Sequence, residues 1–177
     1  MFFFKFILEI IFMNQLPKFE LPLTRNEKIL EALGYLTLAA LWLSVIINYF
    51  DLPDQIPIHF NGVGKADDYR GKNSIFIFPI ICTFLFLVVS LRGNNPEDFI
   101  NKVKITEENR EALYRNQLNF IRVSKIMVSS LFLLISMKTT QLSKSGSEEL
   151  GIGFLLLCAT IILLPVGYFT YKSYKLK

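Results

Sequence analysis

Four stretches of this chain are too long and too apolar to be ordinary core helices of a small soluble domain. Leu33–Phe50, Ser74–Leu91 and Leu150–Tyr171 carry no charged residue, and Phe120–Met137 carries only Arg122 and Lys125, both near its start. Crossing the hydrocarbon of a bilayer takes about 20 apolar residues, within a range of about 17–25. No water reaches the backbone there, so every peptide group must be paired within its own segment, and such spans fold as helices. The spacing predicts an all-α integral membrane protein, a bundle of four transmembrane helices over 33–50, 74–91, 120–137 and 150–171. The third is long enough if its two cations snorkel to the interface. A content of 52% hydrophobic residues, with 17 Phe, argues against a soluble domain of this size.

Other classes fall away on residue usage. Cys82 and Cys158 both lie inside apolar runs, which argues against a disulfide framework and a Cys-based metal site. His59 is the single histidine, so one chain cannot build a histidine cluster. No catalytic arrangement, metal site or cofactor is expected. The formal net charge is +4, but the Lys and Arg residues sit mostly at the ends of apolar segments, which speaks for membrane topology and against a nucleic-acid partner. Fourteen of them fall in the segment before the first span, the stretch from Arg92 into the start of the third span (Arg122 and Lys125 included), and the tail; five fall in the other two loops. The positive-inside rule then places both termini and the 92–119 loop in the cytoplasm, and the loops around His59 and Ser143 outside. Acidic residues are missing from the deep part of every span, so a proton-coupled transporter lacks its usual mark.

The remaining segments divide simply. Residues 1–32 read as a cytoplasmic or interfacial segment. Its opening, Met1 to Met13, is too short to span; it is either an interfacial helix with Lys5 and Glu9 one turn apart or a stretch before a true start at Met13. In the 92–119 loop, Asn95-Pro96-Glu97-Asp98 and Thr106-Glu107-Glu108 are helix starts. One helix is expected from about Glu107 to Met137, with Glu107, Glu108, Arg110, Glu111 and Arg115 on a solvated face that is alternatively a docking surface for a membrane or cytoplasmic regulatory protein. Pro79 and Pro165 are expected to kink their spans, and Gly151 and Gly153 to allow close helix packing.

The loop 51–73 is where the sequence is most specific. Pro53 and Pro57 fix φ and extend the residues before them. Ile56, Ile58 and Phe60 alternate with Pro57 and His59, the two-residue period of a strand. Asn61-Gly62 is a turn signal, Gly64 offers a second positive-φ position, and Asp67, Asp68 and Tyr69 can return as a second strand. A small hairpin-like extracytoplasmic cap on the outer ends of the first two spans is the expected result.

The string Leu52-Pro53-x-x-Ile56-Pro57-x-His59-Phe60-Asn61-x-x-Gly64-x-x-Asp67-x-x-x-x-Lys72, between two apolar spans, resembles the signature of a bacterial membrane domain of unknown function. That domain also forms the N-terminal part of SdpI-type immunity proteins. The resemblance covers about Leu33 to Leu91. Asp68 stands where a small residue, often Gly, is expected, and no C-terminal unit of the SdpI type is found. The resemblance implies a protein of the bacterial cytoplasmic membrane that meets an extracellular toxic peptide, giving immunity or relaying its presence. His59, Asn61, Asp67 and Lys72 are the candidate ligand- or partner-binding residues, with Pro53, Pro57, Phe60, Gly62 and Gly64 shaping the loop. His59 can change charge near neutral pH, meet a metal or a peptide carboxylate with Asp67 and Asp68 as partners, or simply hydrogen-bond loop backbone and lock the cap. Lys72 either marks the interface or pairs with Asp67 or Asp51.

Overall fold

In the computed structural model, residues 21–92 and 105–176 are described. The Met1–Met13 segment and the helix start at Asn95 lie outside them. Four helices make the body: α1 (Arg25–Asn48), α2 (Ile77–Arg92), α3 (Arg110–Ser145) and α4 (Ile152–Lys175). A hairpin of β1 (Gln55–Phe60) and β2 (Ala66–Gly71) joins α1 to α2 through short 3-10 turns at Tyr49–Asp51 and Lys72–Phe76. All four helices are long and apolar enough to cross a membrane once the turns flanking α1 and α2 are included. This is the architecture of a multi-pass membrane protein, and the two-stranded cap stands where the loop chemistry put it.

Local sequence explains where each helix begins and ends. Thr24 caps α1: its hydroxyl accepts from the Glu27 amide, and the Glu27 carboxylate accepts from the Thr24 amide at 2.8 Å. This capping box starts the helix eight residues before the uncharged stretch. Gly146, at φ +69°, supplies the left-handed residue that closes α3. Gly151, at φ +80°, turns the chain into α4. A Cβ added at Gly151 or Gly153 would meet nothing within 4 Å, so neither position needs glycine for the close packing expected there. Pro79 falls in the first turn of α2, where a missing N–H breaks no helical bond; Pro165 is inside α4.

The third helix is the axis of the bundle. It packs against α1, α2 and α4 and also touches β1. It is longer than the apolar stretch on both sides, starting at Arg110 rather than Glu107 and running to Ser145 rather than Met137. Gly34 on α1 allows the closest approach: a Cβ there would stand 3.4 Å from Lys125 Cβ and 3.5 Å from the Phe86 ring. The apolar core sits toward the hairpin end. Leu41, Val45, Leu52, Ile56, Ile75 and Cys82 are buried together, with Val128, Phe132 and Leu133 of α3 against them. By contrast, α4 buries no residue and touches α3 along one side. Near its C-terminus the Asn116 amide donates to the Phe169 carbonyl at 3.2 Å and to Ser173 Oγ at 2.9 Å.

At the end of the bundle away from the hairpin, the charged residues do something the sequence reading did not foresee. Arg115 donates to both oxygens of Glu27, at 3.1 and 3.0 Å, and to Glu111 at 3.3 Å. Arg122 lies between Glu27 and Glu31, at 3.8 and 3.7 Å, and Lys125 donates to Glu31. Lys125 also faces the rings of Phe86 and Tyr35, at 5.3 and 5.8 Å. The side chains of Arg122 and Lys125 are 11% and 5% exposed, so they do not snorkel; they are neutralised in place by carboxylates of α1. Arg115 likewise leaves the solvated face assigned to it, while Glu107, Glu108 and Glu111 stay exposed. One turn deeper, Thr37 and Ser129 share a hydrogen bond between the same two helices.

Removing one member of a buried ion pair strands its partner at a cost of about 3–5 kcal/mol. Glu27→Ala is expected at the lower end of that range, about 3 kcal/mol, because Arg115 keeps Glu111 as a partner. Loss of unfolding free energy in detergent micelles, compared with Glu107→Ala as an exposed control, reads this directly; equal stability of the two variants contradicts it.

Candidate functional site

The cap is built by chain chemistry that admits few alternatives. Pro57 and Ile56 are buried beneath the hairpin, and Ile56 is fully enclosed. Asn61 organises the turn: its carboxamide oxygen accepts from the amides of Val63 and Lys65, at 3.1 and 3.0 Å, and its own amide donates to the Lys65 carbonyl. Gly64, at φ +83°, is buried, and a Cβ there would press on Leu155 and Leu150. The strands pair antiparallel, with Ile56 opposite Arg70, Pro57 opposite Tyr69 and His59 opposite Asp68. The ladder is irregular between Pro57 and His59 and again between His59 and Phe60.

That irregularity aims His59. Its Nδ1 lies 2.6 Å from Asp67 Oδ1, and the two side chains are 67% and 42% exposed. The contact answers the question left by the sequence: His59 meets the Asp67 side chain, not loop backbone. Asp68 turns to Arg70 instead, at 3.7 Å. No group of three or more His, Cys, Asp or Glu fit to hold a metal ion occurs among the described residues.

Lys72 is not part of this pair. Its ammonium lies over the Tyr49 ring, 5.5 Å from the centroid, and its backbone amide donates to the Asp54 carbonyl. Tyr49 in turn donates to Asn73 and packs on Phe76. Lys72 therefore braces the base of the hairpin against the end of α1, while Lys144 of α3 takes Asp51, at 3.3 Å, together with Asn48. His59, Asp67 and Asn61 gather at the tip half of the cap; Lys72 stands at its root.

The loop between α3 and α4 is the part of the site that sequence reasoning missed. The Ala66 amide donates to the Glu148 carbonyl at 2.7 Å, and the Leu150 amide donates to the Gly64 carbonyl at 2.8 Å. Lys65 and Glu149 thus form a bridge like a short third strand, and the Lys65 ammonium lies 3.5 Å from Glu148. Partial desolvation and the nearby Glu148 carboxylate raise the Tyr69 phenol above its ordinary pKa. The cap therefore rests on α1 and α2, as expected, but also on α3, and it is bonded through backbone to the entry of α4. Only the Ser-Gly-Ser-rich composition around 145–147 hinted at a turn there; nothing in it announced a strand-like partner.

Residues 36–83 match a protein family described as a domain of unknown function (DUF1648). The match runs from α1 through the whole hairpin into α2 and includes His59, Asn61, Asp67 and Lys72. The chain is also 26% identical over 167 residues to an uncharacterized protein of the archaeon Archaeoglobus fulgidus, across 86% of this chain and 90% of that relative. No solved structure matches. The matched region covers the cap and the adjoining parts of the two helices that carry it; the axial helix and the bridging loop lie beyond it, within the reach of the archaeal likeness.

A non-glycine residue held at positive φ costs about 1–2 kcal/mol, and at Gly64 a side chain also meets Leu155 and Leu150. Gly64→Ala is expected to lower stability by at least that much and to speed amide hydrogen exchange at Ala66 and Leu150, whereas Gly62→Ala, with nothing within 4 Å, is expected to change exchange little. Equal exchange in both variants refutes the assigned role of Gly64.

Proposed function

We propose that this chain is a receptor-like protein of a prokaryotic cytoplasmic membrane, bacterial as the motif implies, whose cap recognises an extracellular peptide. On this reading it gives immunity to that peptide or signals its presence, as SdpI-type proteins do, and it carries out no catalysis. The observation that carries it is the exposed His59–Asp67 pair on a cap whose backbone is fixed from below by Ile56 and Pro57 and from the side by Glu148 and Leu150. Rigid scaffolds presenting exposed polar side chains on loops are where binding concentrates, because little entropy is lost when a partner docks. The paired imidazole and carboxylate offer a donor and an acceptor side by side, the chemistry that meets a peptide's main chain or its termini.

The orientation follows from charge. With both termini and the 92–119 segment cytoplasmic, the ion cluster of α1 and α3 lies near the inner face and the cap outside. A reporter active only in the cytoplasm, fused after Lys177, is expected to be active; the same reporter inserted after Gly62 is expected to be silent. The opposite pattern reverses the topology and removes the extracellular partner.

The recognition role is tested in a deletion strain challenged with a panel of antimicrobial peptides. Loss of the gene is expected to raise sensitivity to at least one peptide by several-fold. Restoring the wild-type chain should reverse this, and restoring His59→Ala should not, although the variant reaches the membrane in equal amount. No change in sensitivity across the panel removes the immunity reading. Full rescue by His59→Ala removes His59 from the site.

A further inference from the structure

The tip of the hairpin has an apolar residue where turn chemistry calls for a polar one. Between Asn61-Gly62 and Gly64 stands Val63, 82% exposed. Its surroundings fix where it lies relative to α4. The carbonyl of Gly64 accepts from the Leu150 amide, and the Gly64 α-carbon packs so that a Cβ would come within 3.4 Å of Leu155 Cδ1. Leu155 belongs to the first turn of α4, the helix that buries no residue and presents Ile152 and Leu156 outward at 73% and 60% exposure. The tip is thus level with the first turn of α4, where the apolar run of that helix begins. Beside it the paired Lys65 and Glu148 carry the charge expected at the aqueous edge of that layer. At the other end of the cap Phe50, 81% exposed, closes the end of α1 next to Tyr49. An aromatic residue at a span's end is an interfacial anchor.

We propose that the cap lies in the headgroup boundary of the outer lipid leaflet, with Val63 inserted among the phospholipids beside the start of α4. The partner of this surface is the lipid itself. In this arrangement the tip does not project into water, while the exposed His59–Asp67 pair stays open to it. This inference rests on the helices spanning a bilayer and is independent of any peptide ligand.

The test uses the full chain in phosphatidylcholine vesicles. Trp42 is the single tryptophan, so Val63→Trp is made on a Trp42→Phe background, and Leu163→Trp, in the middle of α4, is made on the same background. The Leu163→Trp protein is expected to be quenched by phospholipids brominated deep in their chains, which establishes the span by itself. Val63→Trp is expected to emit blue-shifted light and to be quenched most by bromines placed close to the headgroup. As a readout that leaves Trp42 in place, Val63→Cys is expected to react several-fold more slowly with a membrane-impermeant maleimide than Asp68→Cys on the exposed strand. If Leu163→Trp behaves as expected while Val63→Trp is quenched by aqueous iodide and not by bromolipid, the tip stands in water and the proposal is overturned. The same holds if Val63→Cys reacts as fast as Asp68→Cys. If Leu163→Trp itself escapes bromolipid, the spanning architecture fails and this inference falls with it.

Discussion

The pairing of Glu27 and Glu31 with Arg115, Arg122 and Lys125 is the interaction on which the arrangement of the bundle depends. The third helix brings cations toward a low-dielectric layer, and an unpaired charge there costs several kcal/mol (about 2.5–3.5 on insertion scales). With Glu111 counted, three carboxylates alternate with three cations, so the cluster is neutral as a unit. Two apolar helices sliding past one another in lipid have no hydrophobic force to set their register, because lipid tails are as apolar as leucine. Charge pairs and close approach must set it. The cluster fixes one end of the α1–α3 contact, Gly34 and the Thr37–Ser129 bond fix the middle, and Lys144 with Asp51 and Asn48 fixes the other end.

Once that register is set, the cap has a floor. Leu41, Val45, Leu52 and Ile56 close over the upper part of α3, and β1 settles on them. The bridge from Lys65 to Glu149 then connects the hairpin to the entry of α4, whose other end is held by Asn116. The cap is therefore joined by apolar burial to α1, α2 and α3 and by backbone bonds to the loop that leads into α4. Asp67 directly follows Ala66, whose amide makes one of those backbone bonds. The helix that buries no residue, α4, is reached by the hairpin only through the loop before it, at Glu148 and Leu150, and through Leu155 beside Gly64.

How much of this was legible in the chain depends on the range of the interaction. The spans follow from length and hydropathy, and the hairpin from Pro53, Pro57, Asn61 and Gly64, because each of these acts on the backbone within a few residues of itself. The capping box at Thr24 and Glu27 was equally local, yet the uncharged stretch drew the eye to Leu33 and hid it. The ion cluster was written in the sequence in a less obvious form. Arg115, Arg122, Ser129 and Ser136 recur at seven-residue spacing on α3, a polar seam that a helix directs at one neighbour, and Glu27 and Glu31 stand one turn apart on α1. Reading the cations as lipid-snorkelling treated each helix alone; pairing them needed the neighbouring helix. The bridge at 148–150 had no comparable signal, since a two-residue strand partner is chosen by where the hairpin tip arrives, not by its own composition.

The extent of the family match sharpens what the cap can do by itself. The matched residues contain the hairpin, the later half of α1 and the first turns of α2, but neither α3 nor the loop that bridges the tip. A two-stranded hairpin is marginal in isolation and needs a further face to pack on. In this chain that face comes from Val128, Phe132 and Leu133 on α3, held in place by an ion cluster at the far end of the bundle. The geometry of His59 and Asp67 is thus set partly by residues that contain none of the motif. Glu27 and Arg122 belong to the contact of α1 with α3, and Glu148 to the backbone bond at the tip. The motif names the surface, and the rest of the chain decides whether that surface is held rigid.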